Sequence, residues 1–143
     1  MKNKIISVSL LLLFFTACNN EDQKTSTQKS ENDIDAARNF IESALKGDYT
    51  KARTFIVSDS INLQYIDAFE RNYKERMNPD DKRGYREASI NIHAVRPLND
   101  STTIVSYSNS FKKVDDSLMV VRIHNQWLVD LKYSFYQKVD SAQ

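Results

Sequence analysis

Apolar and polar positions divide the chain into regimes. From Ile5 to Phe15 it is apolar except for Ser7 and Ser9, and residues 19–32, NNEDQKTSTQKSEN, contain no apolar side chain at all. From Asp33 a helical period appears: Ile34, Ala37, Phe40, Ile41, Ala44 and Leu45 recur at three- and four-residue spacing. Asn32 or Asp33 can cap this first helix, and Gly47 behind Lys46 supplies its stop. A second short helix fits DYTKARTFIV, with Asp48 as N-cap and Tyr49, Ala52, Phe55 and Ile56 on one face. A third runs from about Ser60 to Met77, where Ile61, Tyr65, Phe69 and Tyr73 form a stripe before Pro79 breaks it.

Strands follow the helices. ASINIHAV, TTIVSYSNSF, SLMVVRI and WLVDLKYSFY are rich in β-branched and aromatic residues, and VDDS and HNQ supply turn residues between the last three. Helices followed by strands with short links predict an α+β fold: three N-terminal helices packed on a four-stranded antiparallel sheet. About 110 residues suffice for such a domain to bury its own core without disulfides. Three parts are therefore expected: a leader at 1–17, a polar flexible tether at 18–32 and the α+β domain at 33–138.

The leader has the layout of a signal peptide: Lys2 and Lys4, an apolar run, then the small residues Thr16 and Ala17. Its core of about ten apolar residues is roughly half of the ~20 that span a membrane. FTAC, residues 15–18, resembles a bacterial lipobox, with Phe15 where that motif most often has Leu. The resemblance implies that Cys18, the chain's one cysteine, takes the lipid and becomes the first residue of the mature protein. A lone thiol in an oxidising compartment is otherwise unusual. Two or more acyl chains, at ~0.8 kcal/mol per buried methylene, hold a protein firmly to a bilayer. Asn19, rather than Asp, behind Cys18 favours the outer membrane, and the acidic pair Glu21 and Asp22 resembles a surface-export signal. Surface-exposed and periplasm-facing orientations both remain open.

Without Lys2 and Lys4 the mature chain has 18 basic and 19 acidic side chains. That balance provides no electrostatic reason for nucleic acid or anionic lipid as partner.

FIESALKGDYTKARTFI has the Gly-Asp-Tyr handover of a tetratricopeptide turn, but no second copy follows at the required period. The order and spacing of elements are more similar to the nuclear transport factor 2-like, or ketosteroid isomerase-like, superfamily with its cystatin-like fold, in particular its small bacterial lipoproteins of unassigned function. There an N-terminal helix ends in a KGDY-x-KA handover and the last hairpin ends in W-x-V. Here these are Lys46 to Tyr49 with Lys51 and Ala52, and Trp127 with Val129, within a likeness covering residues 33–136. The resemblance implies that the four-stranded sheet is curved and cone-like, with an apolar mouth between helices and sheet, and in many members a second copy on the convex sheet face.

Register decides which residues face that mouth. A two-residue last turn puts Leu118, Val120, Trp127, Val129 and Leu131 on one face and Met119, Val121, Ile123 and Leu128 on the other, whereas a three-residue turn regroups them. SLMVVRI is apolar on both faces, which predicts cover on both sides, by the helices and by either a partner copy or the monomer's own core.

The inventory of chemistry is short. No thiol other than Cys18 is present, His93 and His124 have no metal-ligand spacing, and neither a phosphate loop nor a Gly-x-Ser-x-Gly motif occurs. No cofactor or metal is implied. Candidate pocket residues are Tyr65, Phe69, Tyr107, Trp127 and Asp130. Asp130, Asp67 or Glu70 could act as general base, with Tyr65, Tyr107 or Tyr133 as donor. Alternation makes Asp130 a solvent-facing strand residue, and Asp67 and Glu70 fall off the third helix's stripe. The favoured reading is a lipid-anchored, non-enzymatic module binding a small apolar ligand or a protein. The alternatives are an isomerase- or hydrolase-like enzyme and a periplasmic scaffold subunit.

Overall fold

The computed structural model describes residues 29–134. The leader, Cys18, Glu21, Asp22 and most of the tether lie outside the described residues. Ser30 is already buried and accepts a hydrogen bond from Asn39 Nδ2 (3.3 Å).

Helix α1, Asp33–Leu45, starts where Asn32 accepts from the Asp35 amide (2.9 Å) and buries Ala36, Ala37, Phe40 and Ile41. It ends at Gly47, whose φ of +75° is the left-handed conformation that glycine adopts without a Cβ clash. Asp48 caps the short α2, Tyr49–Ala52, which tightens into a 3₁₀ turn at Arg53–Phe55. The chain then turns extended at Ile56, earlier than the expected helix end, because the Val57 amide bonds the Val129 carbonyl (2.9 Å). Helix α3, Ser60–Arg71, is capped by Asp59, which accepts from the Ile61 (3.0 Å) and Asn62 (2.8 Å) amides. It continues as a π turn over Asn72–Arg76, closed by Met77 N donating to Asn72 O (3.1 Å).

The three expected helices are joined by a fourth, α4, Pro79–Glu87. Asn78 caps it, accepting from the Asp81 amide (2.8 Å), and Pro79 occupies the first turn, where its missing N–H leaves no bond unmade. Pro79 thus ends one helix and begins another. The stripe on α3 also differs from the expected one. Asn62 and Ile66 are fully buried and Phe69 and Tyr73 pack against the core, whereas Ile61 is an exposed residue.

Strands β1 (Ile90–Asn99), β2 (Thr102–Asn109), β3 (Asp116–Ile123) and β4 (Gln126–Asp130) form an antiparallel sheet in sequential order. His124 and Asn125, with φ of 47° and 63°, make the last turn a two-residue one. Val120 therefore opposes Val129 and Arg122 opposes Trp127. Leu118, Val120, Val129 and Leu131 are buried on the helix side, while Ile123 stays at the surface. Helix α1 lies across all four strands, and the core is the α1–sheet layer closed by Phe55, Ile56 and Ile66.

Candidate functional site

At the end of the sheet formed by the last residues of β2 and the first of β3, α1 does not complete the cover. The gap is a cavity of about 220 Å³. Phe40, Ile41, Ala44 and Leu45 of α1 form its apolar floor, Tyr49 of α2 and Tyr73 and Met77 beyond α3 one wall, and Tyr85 of α4 another. Tyr107, Asn109 and Asp116 come from the sheet. An outer chamber of about 340 Å³ shares Tyr85, Tyr107, Asn109 and Asp116 and is bordered by Lys112 and the exposed Val114, so the two form one cleft.

Local structure explains why the rings gather here. Tyr73 lies in the π turn and meets Tyr49 edge to face, with centroids 5.7 Å apart. A Cβ on Gly47 would lie 2.5 Å from the Tyr73 ring, so glycine at 47 serves both the helix stop and the approach of that ring. Tyr85 meets Phe111 edge to face at 5.2 Å, and a Cβ on Gly84 would lie 2.4 Å from Phe111. Both glycines of the chain thus admit an aromatic ring beside the cleft.

Burial pushes the Tyr49 phenol up to about 12, with Tyr73 and Glu70 adding to the effect. Burial also raises Tyr107, and the carboxylate of Asp116, its pairing partner across β2 and β3, raises it further. Both phenols stay protonated at neutral pH and keep donor character. Asp116 Oδ1 accepts from the Ser117 amide (2.8 Å), and Asn109 Oδ1 accepts from the Phe111 (3.1 Å) and Lys112 (2.9 Å) amides, which shapes the turn at the rim.

Of the expected pocket residues, Tyr107 lines this cavity; the other four are elsewhere. Tyr65 and Phe69 pack on the core from α3. Trp127 is half-buried beside Arg122, whose guanidinium carbon lies 5.8 Å from the ring centroid. Asp130 is not the solvent-facing residue that alternation suggests, since its side chain is only 18% exposed. It accepts from Asn62 Nδ2 (3.3 Å) and the Lys132 amide (3.1 Å), in a tie between the start of α3 and the end of β4. Asp67 and Glu70 instead pair with Arg53, Glu70 at 2.8 Å, on the outer side of α3. These carboxylates hold helices in place and do not meet at the cavity.

The carboxylate that does reach the cavity, Asp116, reads in the sequence as a turn residue, and Tyr85 is hidden in the charged stretch PDDKRGYRE. The Asn78-Pro79 cap was the available signal for α4, and hence for Tyr85. His93 is held in the sheet by Ser108 Oγ (2.7 Å) and lies 3.3 Å from Asp115. Among the described residues no group of three or more His, Cys, Asp or Glu side chains could hold a metal ion.

No family model and no curated protein matches the chain. Its fold is similar to that of a nuclear transport factor 2-like protein of unknown function from Shewanella oneidensis MR-1, with a TM-score of 0.51 and 14% identity over 67% of this chain and 89% of that one. At that identity the likeness concerns the backbone alone. The architecture of the described residues is thus an α+β fold of the nuclear transport factor 2-like kind.

Proposed function

We propose that the chain is a lipid-anchored protein of the outer membrane whose α+β domain binds a small, largely apolar molecule in the tyrosine-lined cleft without transforming it. On this reading the cleft takes the part of the apolar mouth that the family resemblance implies, with Tyr107 the one residue common to both. One observation carries the reading: a cavity with Phe40, Ile41, Ala44 and Leu45 on one side and four tyrosines, Asn109 and Asp116 around the rest opens at one end of the sheet, the mix of apolar, aromatic and placed polar groups that small-molecule sites share. Its inner volume is below the usual drug-sized range of about 300–1,000 Å³, so the occupant is small or extends into the outer chamber. The anchor rests on FTAC and on the polar stretch 19–29 ahead of the buried Ser30, whose root-mean-square reach of roughly 18 Å as a flexible chain would let the domain stand clear of the headgroups.

Two comparisons test the reading. Cys18→Ser should release the protein from membranes or leave it unprocessed, and a mature variant still bound after a carbonate wash would remove the anchor. Ala44→Phe should fill the inner chamber and abolish the thermal shifts that small fragments produce in the wild type. Unchanged shifts in a folded Ala44→Phe variant would remove the cleft as the binding site.

A second reading, a general-base enzyme, is favoured by one observation: Asp116 lies beside Tyr107 at the cavity. It predicts proton exchange at the α-carbon of a ketone bound in the cleft, lost in Asp116→Asn. No exchange in the wild type would remove it.

A further inference from the structure

One residue of an acidic or basic type lines the inner chamber. Of its eleven lining residues only Asp116 has a side chain that is ionised in ordinary solution at neutral pH, and four of the others are tyrosines. A carboxylate among aromatic rings is an arrangement that favours a cation, because the ring quadrupoles and the negative charge act in the same direction.

The protein's own ammonium groups already use the rings of this region. Lys82 Nζ lies 5.4 Å from the Tyr73 centroid, and Lys112 Nζ lies 5.8 Å from Tyr85 and 4.7 Å from Phe111. All three distances are within the roughly 6 Å over which cation–π attraction operates. The two lysines do not turn the rim into an anion site. Lys112 is paired with Asp81 at 3.1 Å, and Lys82 donates to the Lys74 carbonyl (3.2 Å).

We infer that the cleft takes a small organic cation, a quaternary or protonated alkylamine, with its ammonium head between Asp116 and the tyrosines and its alkyl part on Phe40, Ile41 and Leu45. This rests on reading the cleft as a binding site. The inner volume of about 220 Å³ suits a compact head better than a peptide or a fused-ring skeleton. Asp116 lines both chambers, so a cation in either of them lies beside it.

Three probes of nearly equal shape separate the ligand classes: choline, its uncharged analogue 3,3-dimethylbutan-1-ol, and the anion 3,3-dimethylbutanoate. Calorimetric titration of the full chain in detergent should show choline binding about tenfold or more tighter than the alcohol, with the carboxylate weakest. Asp116→Asn keeps an acceptor for the Ser117 amide and should remove most of that preference, weakening choline several times more than the alcohol. Tyr85→Leu, checked for a native amide spectrum, should weaken choline severalfold more than the alcohol. Equal or tighter binding of the alcohol or the carboxylate overturns the cation inference and leaves the cleft reading standing. Binding of fragments that Ala44→Phe abolishes, with no choline binding, has the same effect. Absence of any ligand in the cleft overturns both.

Discussion

Asn62 is a fully buried polar residue that bonds both the start of α3 and the end of β4, and replacing it tests how the helices are tied to the sheet. Its side chain is fully buried; Oδ1 accepts from the Leu131 amide (2.7 Å), and Nδ2 donates to Asp59 Oδ2 (2.9 Å) and Asp130 Oδ1 (3.3 Å). Asn62→Leu leaves the Leu131 N–H without an acceptor, at ~1–3 kcal/mol, and removes two bonds to carboxylates. Those carboxylates have other donors and can draw in water, so the total should be ~2–4 kcal/mol, a large share of the 5–15 kcal/mol of a typical domain. Urea denaturation would read this as a lowered midpoint with unchanged slope, and a thermal scan as a drop of about 10–20 °C. Asn62→Asp separates the contributions, since it keeps an acceptor for Leu131 but adds a buried carboxyl beside Asp59 and Asp130. Burial and two like charges raise the pKa of the new group in the folded state, so the folded protein holds its proton more tightly than the unfolded chain does. The deficit relative to wild type should therefore be smallest near pH 4 and grow towards pH 7. A cost below ~1 kcal/mol for Asn62→Leu, or a deficit for Asn62→Asp that is flat with pH, would refute the tie.

The other predictions are local. Gly47→Ala forces a Cβ into the left-handed region, at ~1–2 kcal/mol, and against the Tyr73 ring, so it should destabilise the fold and also loosen the cleft wall; a wild-type midpoint would count against that packing. The Asp59 carboxyl is held at about 2, below its ordinary 3.8, first by the Asn62 amide and then by Lys132. Its contribution is present above about pH 3.8 and lost as pH falls through about 2, so the acid limb of a stability–pH curve should flatten over that window in Asp59→Asn. Trp127→Ala should cost ~2 kcal/mol, less than a fully buried tryptophan, with fragment binding unchanged because Trp127 does not line the cavity; a loss of binding would show that it does.

Period and punctuation were enough to read α1 and an antiparallel sheet of four strands, whereas the grouping of Val129 with Leu118 and Val120 depended on the last turn. The turn at His124-Asn125 could not be decided from its letters, because neither residue is the glycine that usually announces two positive φ angles. Helix α4 was hidden because PDDKRGYRE has almost no apolar face; a cap and a proline define it, and a single tyrosine gives it its role at the cleft. On α3 the aromatic spacing suggested a stripe through Ile61 and Tyr65, while burial follows Asn62 and Ile66. A buried asparagine is invisible to a hydrophobic pattern. Asp116 at the cavity and Asp130 in the tie to Asn62 were hidden for a related reason: alternation says which face a strand residue takes, but not which hydrogen-bond partners it meets or where the helices leave the sheet uncovered.

The central claim is that the tyrosine-lined cleft is where this domain binds its ligand. Amide and methyl chemical shifts of the full chain, recorded as small fragments are titrated in, test it most directly. The account predicts that perturbed signals cluster on Ala44, Leu45, Met77, Tyr107 and Asp116 and that those of the last four stay unmoved in Ala44→Phe. Perturbations gathered instead on Met119, Val121 and Leu128 of the opposite sheet face, or none at all, would contradict it.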